Sequence, residues 1–192
     1  QWPARAADLE QALQNEPFAP CSPSQQKSSG WVPPRGQEHG ALVEVVDGQW
    51  LACLAIETKS VPADAVRQKA QEAADAIERE QGRTPGKKEM RDLREDALQA
   101  LLPQAFARRV LVRLWLHPER RWLMLDAGSQ ARADEVISSL VRVADTGFSI
   151  ALLQTQRSPQ SVMTNWLGAP LDETDAGGLP DAWAIGRECE LK

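Results

Sequence analysis

Asp47 and the run Glu57-Thr58-Lys59 are the residues whose types and spacing could do chemistry in this sequence. A carboxylate followed on a neighbouring strand by Glu-x-Lys is the layout of metal-dependent nucleases. There the acids hold Mg²⁺ and the lysine helps to activate water. The plainer reading is a turn aspartate plus charged strand-end residues, because short Glu-x-Lys matches are frequent by chance. The rest of the chain carries no Walker loop, no GxGxxG, no GxSxG and no HExxH. His39 and His117 are the two histidines, and both fall in predicted loops or turns. Cys21, Cys53 and Cys189 are widely spaced and form no CxxC, so neither a zinc site nor a disulfide scaffold is indicated. No cofactor and no catalytic role are expected.

Charge carries a second signal. The 192 residues have a formal charge of −5, which excludes a uniformly basic nucleic-acid coat but not a basic patch. Between Arg67 and Arg113 lie eleven basic and eight acidic residues, so that segment is +3 and the remainder −8. The positive charge peaks at Arg83, Lys87, Lys88, Arg91 and Arg94. A basic tip on an acidic body would meet phosphates and leave the body facing away. The competing reading is a solvated helical pair laced with i,i+4 ion pairs such as Lys88 with Asp92. Trp31 and Trp50 could stack on bases but more readily fill a core. Phe106 follows a helix-ending proline and precedes Arg108-Arg109, outside any periodic face. It reads as an interface anchor or as a ring tucked under the helix end.

The elements that must position these residues follow from periodicity. Ala4 to Gln14 reads as a short helix stopped by Pro17, and 18–40 as a long loop. Ala41–Val46 and Gln49–Glu57 flank Asp47-Gly48, a pair suited to a two-residue β-hairpin turn. Pro62–Gln81 repeats Val66, Ala70, Ala73 and Ile77 on one helical face, and Lys87–Leu102 repeats Met90, Leu93, Ala97 and Leu101. The break at Gly82–Gly86, with Thr84 as cap and Pro85 at the first helical position, makes these an αα-hairpin. Arg109–Leu116 and Arg121–Asp126 form a second β-hairpin, with Val110, Val112 and Leu114 on one face of the first strand. A helix capped by Ser129 runs to about Ala144 with Val136, Ile137, Leu140 and Val141 inward. Phe148–Gln154 reads as a strand, Ser158-Pro159 opens a short helix, and 182–191 is a last candidate strand. The class is α+β: antiparallel β-hairpins with packed helices and a protruding αα-hairpin. Residues 1–60 and 104–168 form the body, 61–103 the arm, and 169–192 a loop and possible strand. No apolar run approaches the ~20 residues of a membrane span. The first residues are not a signal peptide, and few cysteines suit a reducing cytosolic location.

Several blocks in order then carry a family resemblance: Gly30-Trp31-Val32-Pro33-Pro34, the hairpin at Gly48-Gln49, the charged helical pair and Leu101-Leu102-Pro103-Gln104-Ala105-Phe106-Ala107-Arg108. With Trp115, Leu123-Met124-Leu125-Asp126 and Thr164-Asn165-Trp166, they make the chain similar to the bacterial RdgC recombination-associated family to about residue 167. The resemblance implies a nucleoid-associated, sequence-nonspecific binder of double-stranded DNA. It implies a homodimeric ring around the duplex that restrains RecA-driven strand exchange, with no known catalysis. It places Phe106 at a ring-closing subunit contact, and Arg83, Lys87, Lys88, Arg91 and Arg94 in a charged stretch not matched residue for residue. Family members also begin with a strand ahead of Gln1 and continue past Lys192. A Mg²⁺-dependent nuclease using Asp47, Glu57 and Lys59, or a protein-interaction module using the helical pair, are the alternatives.

Overall fold

A computed structural model describes residues 5–144, 149–154 and 156–168. The chain divides into two units, residues 1–149 and 150–192. In the first, helix α1 (Ala6–Leu13) precedes strands β1 (Lys27–Val32), β2 (Glu44–Val46) and β3 (Gln49–Lys59). Helices α2 (Ala63–Gln81) and α3 (Lys87–Leu101) follow, then a 3₁₀ turn at Leu102–Gln104. Strands β4 (Ala107–His117) and β5 (Trp122–Leu125) and helix α4 (Gln130–Ala144) complete it. Among the described residues the sheet has five strands, all paired antiparallel, in the order β1-β3-β4-β5 with β2 also on β3. The class is α+β.

Strand β3 explains the layout. Its residues Trp50 through Glu57 are apolar or small almost without a break, which suits a strand covered on both faces. One face carries Trp50, Ala52, Leu54 and Ile56, continued by register into Trp31 of β1 and Val112, Leu114 and Leu116 of β4. The apolar stripes of α1 (Leu9, Leu13) and α4 (Val136, Leu140, Val143) pack together and supply the cover. Val112, Leu114 and Leu116 are buried while Leu111 is exposed, so the alternation expected of β4 holds. Trp31 and Trp50 are core residues, which removes them as stacking platforms.

On the other face of β3, Cys53 and Ala55 are too small to bury themselves, and residues 17–22 strap across them. Gly30 pairs with Ala55 and permits the crossing. A Cβ at Gly30 would stand 2.4 Å from the Phe18 Cα and 2.7 Å from the Pro17 carbonyl oxygen. Phe18 N–H donates to the Trp31 carbonyl (3.1 Å), and Trp31 N–H to the Glu16 carbonyl (2.9 Å).

Carboxylates hold these irregular segments. Buried Glu57 accepts the Cys21 N–H at 2.8 Å, and Arg109 Nε and Nη2 at 3.1 and 2.9 Å. Lys59 Nζ donates to the Ser22 carbonyl at 2.8 Å, and the Arg109 guanidinium lies 4.3 Å over the Phe18 ring. Glu16 accepts from Ser139 (3.0 Å) and Arg142 (2.7 Å), tying the end of α1 to α4. Glu10 accepts the N–H groups of Leu42 and Val43 at 3.2 and 2.7 Å.

The β2–β3 turn carries positive φ at Asp47 (47°) and Gly48 (74°), as an Asp-Gly hairpin requires. Helices α2 and α3 pack chiefly on each other, and fully bury only Ala70, Ala74 and Ala97. Both ends of this pair are anchored, because Lys59 and Ala107 are register partners.

Four local expectations are corrected. The 18–40 loop contains β1, whose Lys-Ser-Ser-Gly start is polar and is held by its pairing with β3. Thr84 does not cap α3: Gly86 is the cap residue, the helix begins at Lys87 rather than Pro85, and the Thr84 hydroxyl lies 3.4 Å from Glu78. Val141 is exposed, and Val143 takes the inward position. Residues 149–154 are not a strand, and Leu152 and Leu153 are exposed; Phe148 lies outside the described residues. In the second unit, α5 (Pro159–Gly168) begins as expected, with the Ser158 hydroxyl accepting the Ser161 N–H at 3.0 Å. The 169–182 loop and the 182–191 strand lie outside the described residues.

Two consequences are measurable. Gly30→Ala should cost about 1–3 kcal/mol, since backbone rather than a flexible side chain must move. Urea unfolding checks this, and an unchanged midpoint would mean that the strap shifts freely. The Cys21 N–H, then Arg109, hold the Glu57 carboxyl below the usual range, and Arg142, then Ser139, do the same for Glu16. Lowered folded-state pKa values contribute stability above the ordinary carboxylate range and lose it as pH falls through them. The melting temperature should therefore drop below about pH 5. Glu57→Gln should flatten that dependence; an identical acid slope in the variant rules out Glu57 as a source.

Candidate nucleic-acid interface

The five basic positions read from the sequence do not behave alike. Arg83 spans the α2–α3 link to Glu89, with Nη1 and Nη2 at 2.7 and 2.8 Å from its two carboxylate oxygens. This pairing raises the Arg83 pKa and lowers that of Glu89. Glu89 also sits in the first turn of α3, where negative charge suits the helix dipole. Arg83 thus staples the link and has its charge matched locally.

Lys87, Lys88, Arg91 and Arg94 are exposed and make no ion pair among the described residues. The Lys88–Asp92 pair expected from i,i+4 spacing is not formed. Lys87, Arg91 and Arg94 recur at i, i+4 and i+7 and so share one stripe of α3. The stripe is about 10 Å long, at ~1.5 Å rise per residue. It flanks the inward face marked by Met90 and Ala97, while Glu89, Asp92 and Asp96 fall on the opposite side. Four cations without partners can neutralise phosphates without first breaking pairs of their own.

Phe106 stands between the 3₁₀ turn and β4 and is 93% exposed, so it is not tucked under the helix end. A fully solvated phenyl ring at the base of the helical pair loses apolar burial that an interface would restore.

The nuclease constellation is not assembled. Asp47 is in the turn before β3 and Glu57 near its far end. The eight residue steps from Gln49 to Glu57 alone span about 26 Å. Glu57 is engaged by Cys21 and Arg109, and Lys59 by a carbonyl. Among the described residues no group of three or more His, Cys, Asp or Glu could hold a metal ion. None of their helices is long and apolar enough to cross a membrane.

Residues missed in the sequence are Glu10, Glu16 and Arg109. Each works over a long sequence separation, on backbone N–H groups of loops or on a partner in another element. Only the arginine at Arg109, beside Glu57 in register, had a strand-pairing signal.

Comparison with known proteins gives one consistent result. Residues 1–192 match the family described as "Putative exonuclease, RdgC". The recombination-associated protein RdgC of Dechloromonas aromatica is 38% identical over 191 residues, covering 100% of this chain and 60% of that protein. The proteins of the same name from Herminiimonas arsenicoxydans and Tolumonas auensis are 37% and 36% identical over 100% and 97% of the chain. The chain thus spans about 60% of the length of these relatives. With the Trp31 and Phe106 blocks in place and the match running from end to end, the chain belongs to the recombination-associated RdgC family.

Proposed function

We propose that this chain is part of a sequence-nonspecific double-stranded-DNA-binding protein that acts by electrostatics and topology and does not cut DNA. The observation that carries the reading is the row of unpaired cations on α3, Lys87, Arg91 and Arg94, with Lys88 beside it. A duplex carries one negative charge per ~1.7 Å of axis with both strands counted, so about six phosphates lie along a 10 Å length and those of the nearer strand are within reach of the stripe. Contacts to phosphate carry no base information, and sequence should matter little. Exposed Phe106 supports self-association of two copies at the base of the helical pair. A closed homodimer would encircle the duplex, and occupancy of the DNA would restrain RecA-mediated recombination. A cytoplasmic, nucleoid-associated location fits that role. Arg83 is the one candidate whose role shifts: it holds the link between the helices instead of contacting phosphate.

Charge reversal at Lys87, Lys88 and Arg91 to Glu should weaken duplex binding and reduce the log–log salt slope by about 2–3. An unchanged slope in an anisotropy titration excludes the stripe as a phosphate contact. Running the recovered DNA on a gel with Mg²⁺ present tests the nuclease alternative. Cleavage that vanishes in Glu57→Gln would replace the binding reading. Phe106→Ala should weaken self-association by about 2 kcal/mol if the ring is a central anchor. Sedimentation of the variant at the same concentrations as the parent checks this, and identical profiles demote Phe106 to a surface residue.

A further inference from the structure

We propose that the cleft between β1 and β2 binds the C-terminal residue of an acidic peptide, taking its apolar side chain and its free carboxylate together. The cleft follows from how β3 is edged. β1 ends where Val32 pairs with Cys53, and β2 begins where Glu44 pairs with Leu51, so neither strand gives Ala52 a partner. The chain between them leaves the sheet at Pro33-Pro34, a pair that the DNA-binding reading leaves without a role. Gly36 N–H donates to the Pro33 carbonyl at 2.9 Å, with Gly36 at φ 70°. The turn so closed sets Arg35 at the rim.

What remains is a cavity of about 130 Å³ lined by Pro34, Arg35, Glu44, Leu51, Ala52 and Arg113. An apolar cavity of about 150 Å³ holds one benzene, so this one admits a single aliphatic side chain. Charge decides what that side chain must carry beside it. The lining holds two guanidinium groups and one carboxylate, and Arg35 pairs with Glu44 at 3.1 Å. Among the described residues Arg113 forms one ion pair, with Asp126. It is long (3.7 Å) and both side chains are exposed, so solvent screens it to little worth. A ligand carboxylate can take Arg113 without dismantling a buried pair, and the guanidinium fork suits its two oxygens.

A cavity this small needs the apolar group and the negative charge within a few bonds of each other. The last residue of a peptide meets that condition, because its carboxylate and its side chain leave the same carbon. An internal Asp or Glu fills the space with the charge itself and leaves Pro34, Leu51 and Ala52 uncovered. A phosphodiester meets the arginines but brings no hydrocarbon side chain to that floor. The preceding residues of the peptide have a path. Leu51 is opposite Trp115, and Trp115 opposite Met124, so the sheet face runs from the cavity over a half-buried indole to an exposed Met124. Arg120, 5.2 Å over the Trp122 ring, is a further cation on that face, which favours acidic residues ahead of the last one. The proposal goes beyond the duplex reading and does not rest on it.

The test titrates fluorescein-labelled Gly-Asp-Glu-Asp-Leu, with a free C-terminus, with the chain in low salt and follows anisotropy. Two control peptides run beside it, the C-terminal amide and a version ending in Gly. The free acid should bind about tenfold more tightly than either, since the amide removes the charge and the glycine the side chain. This comparison uses the parent chain and depends on no variant folding. Arg113→Gln should lose about the same factor, and Arg113→Lys should recover only part of it, because an ammonium lacks the fork. The proposal is overturned if the parent does not bind the free acid, if the three peptides bind alike, or if Arg113→Gln binds the free acid as the parent does. It is equally overturned if Arg113→Gln weakens binding of labelled oligo-dT and not of the peptide, which would make the cleft a phosphate contact. A change in sedimentation of Arg113→Gln with unchanged peptide affinity would make it a contact between copies of the chain, and overturns the proposal as well.

Discussion

Everything in the first unit depends on β3 being paired on both edges and covered on both faces. β2 and β1 take one edge in succession and β4 the other along its length. A strand so enclosed must be apolar or supplied with partners, and β3 is not wholly apolar. Glu57 and Lys59 are buried at its end. Removing such charges from water costs several kcal/mol per ion unless hydrogen bonds replace the lost hydration. Those bonds come from Cys21, Arg109 and the Ser22 carbonyl, and supplying them fixes the path of residues 17–22. Gly30 then follows by necessity, since the strap passes where a Cβ would be. One burial requirement thus accounts for a glycine, an arginine on another strand and an otherwise irregular loop.

The same strand decides where the helical pair goes. Lys59 and Ala107 are partners in the sheet, so residues 60–106 leave and return at adjacent points of one long β3–β4 hairpin. The pair buries three alanines fully and otherwise half-buries its inward residues. Small side chains let two helices approach closely, but they offer little area, at roughly 25 cal/mol per Å². The anchoring of both ends in the sheet, and the Arg83–Glu89 bridge at the far link, offset that thin interface. α3 can therefore devote its outer surface to charge.

Much of this was legible in the sequence, and the failures have identifiable causes. Asp47-Gly48, the alternation of β4 and the two helical stripes were read correctly, because each depends on neighbours within a few residues. β1 was hidden because Lys27-Ser28-Ser29 has no strand pattern; the ladder with β3 makes it a strand. The Glu16 and Glu57 networks join residues far apart in sequence, and no local spacing announces them. In the candidate interface, the α3 stripe was visible as a run of basic residues. The separation of Arg83 from it was not, since that depends on Glu89 reaching back across the link.

The acidity of the whole chain is no obstacle to a basic working surface. At physiological ionic strength exposed charges are screened beyond about 8 Å. A ligand approaching Lys87, Arg91 and Arg94 therefore responds to the charges within roughly that distance, and not to the net −5. What matters is whether those cations are matched locally. Around the sheet, several positive groups are matched: Arg109 by Glu57, Arg142 by Glu16, Lys27 by Glu135 and Arg35 by Glu44. On α3 three of the four acids, Glu89, Asp92 and Asp96, sit on the opposite side of the helix from the stripe, while Glu95 lies beside it and accepts from Gln99 without pairing with a stripe cation. The contrast turns a nearly balanced segment into a directional one. It is the placement of Glu89, Asp92 and Asp96 as much as that of the basic residues that gives α3 a positive side.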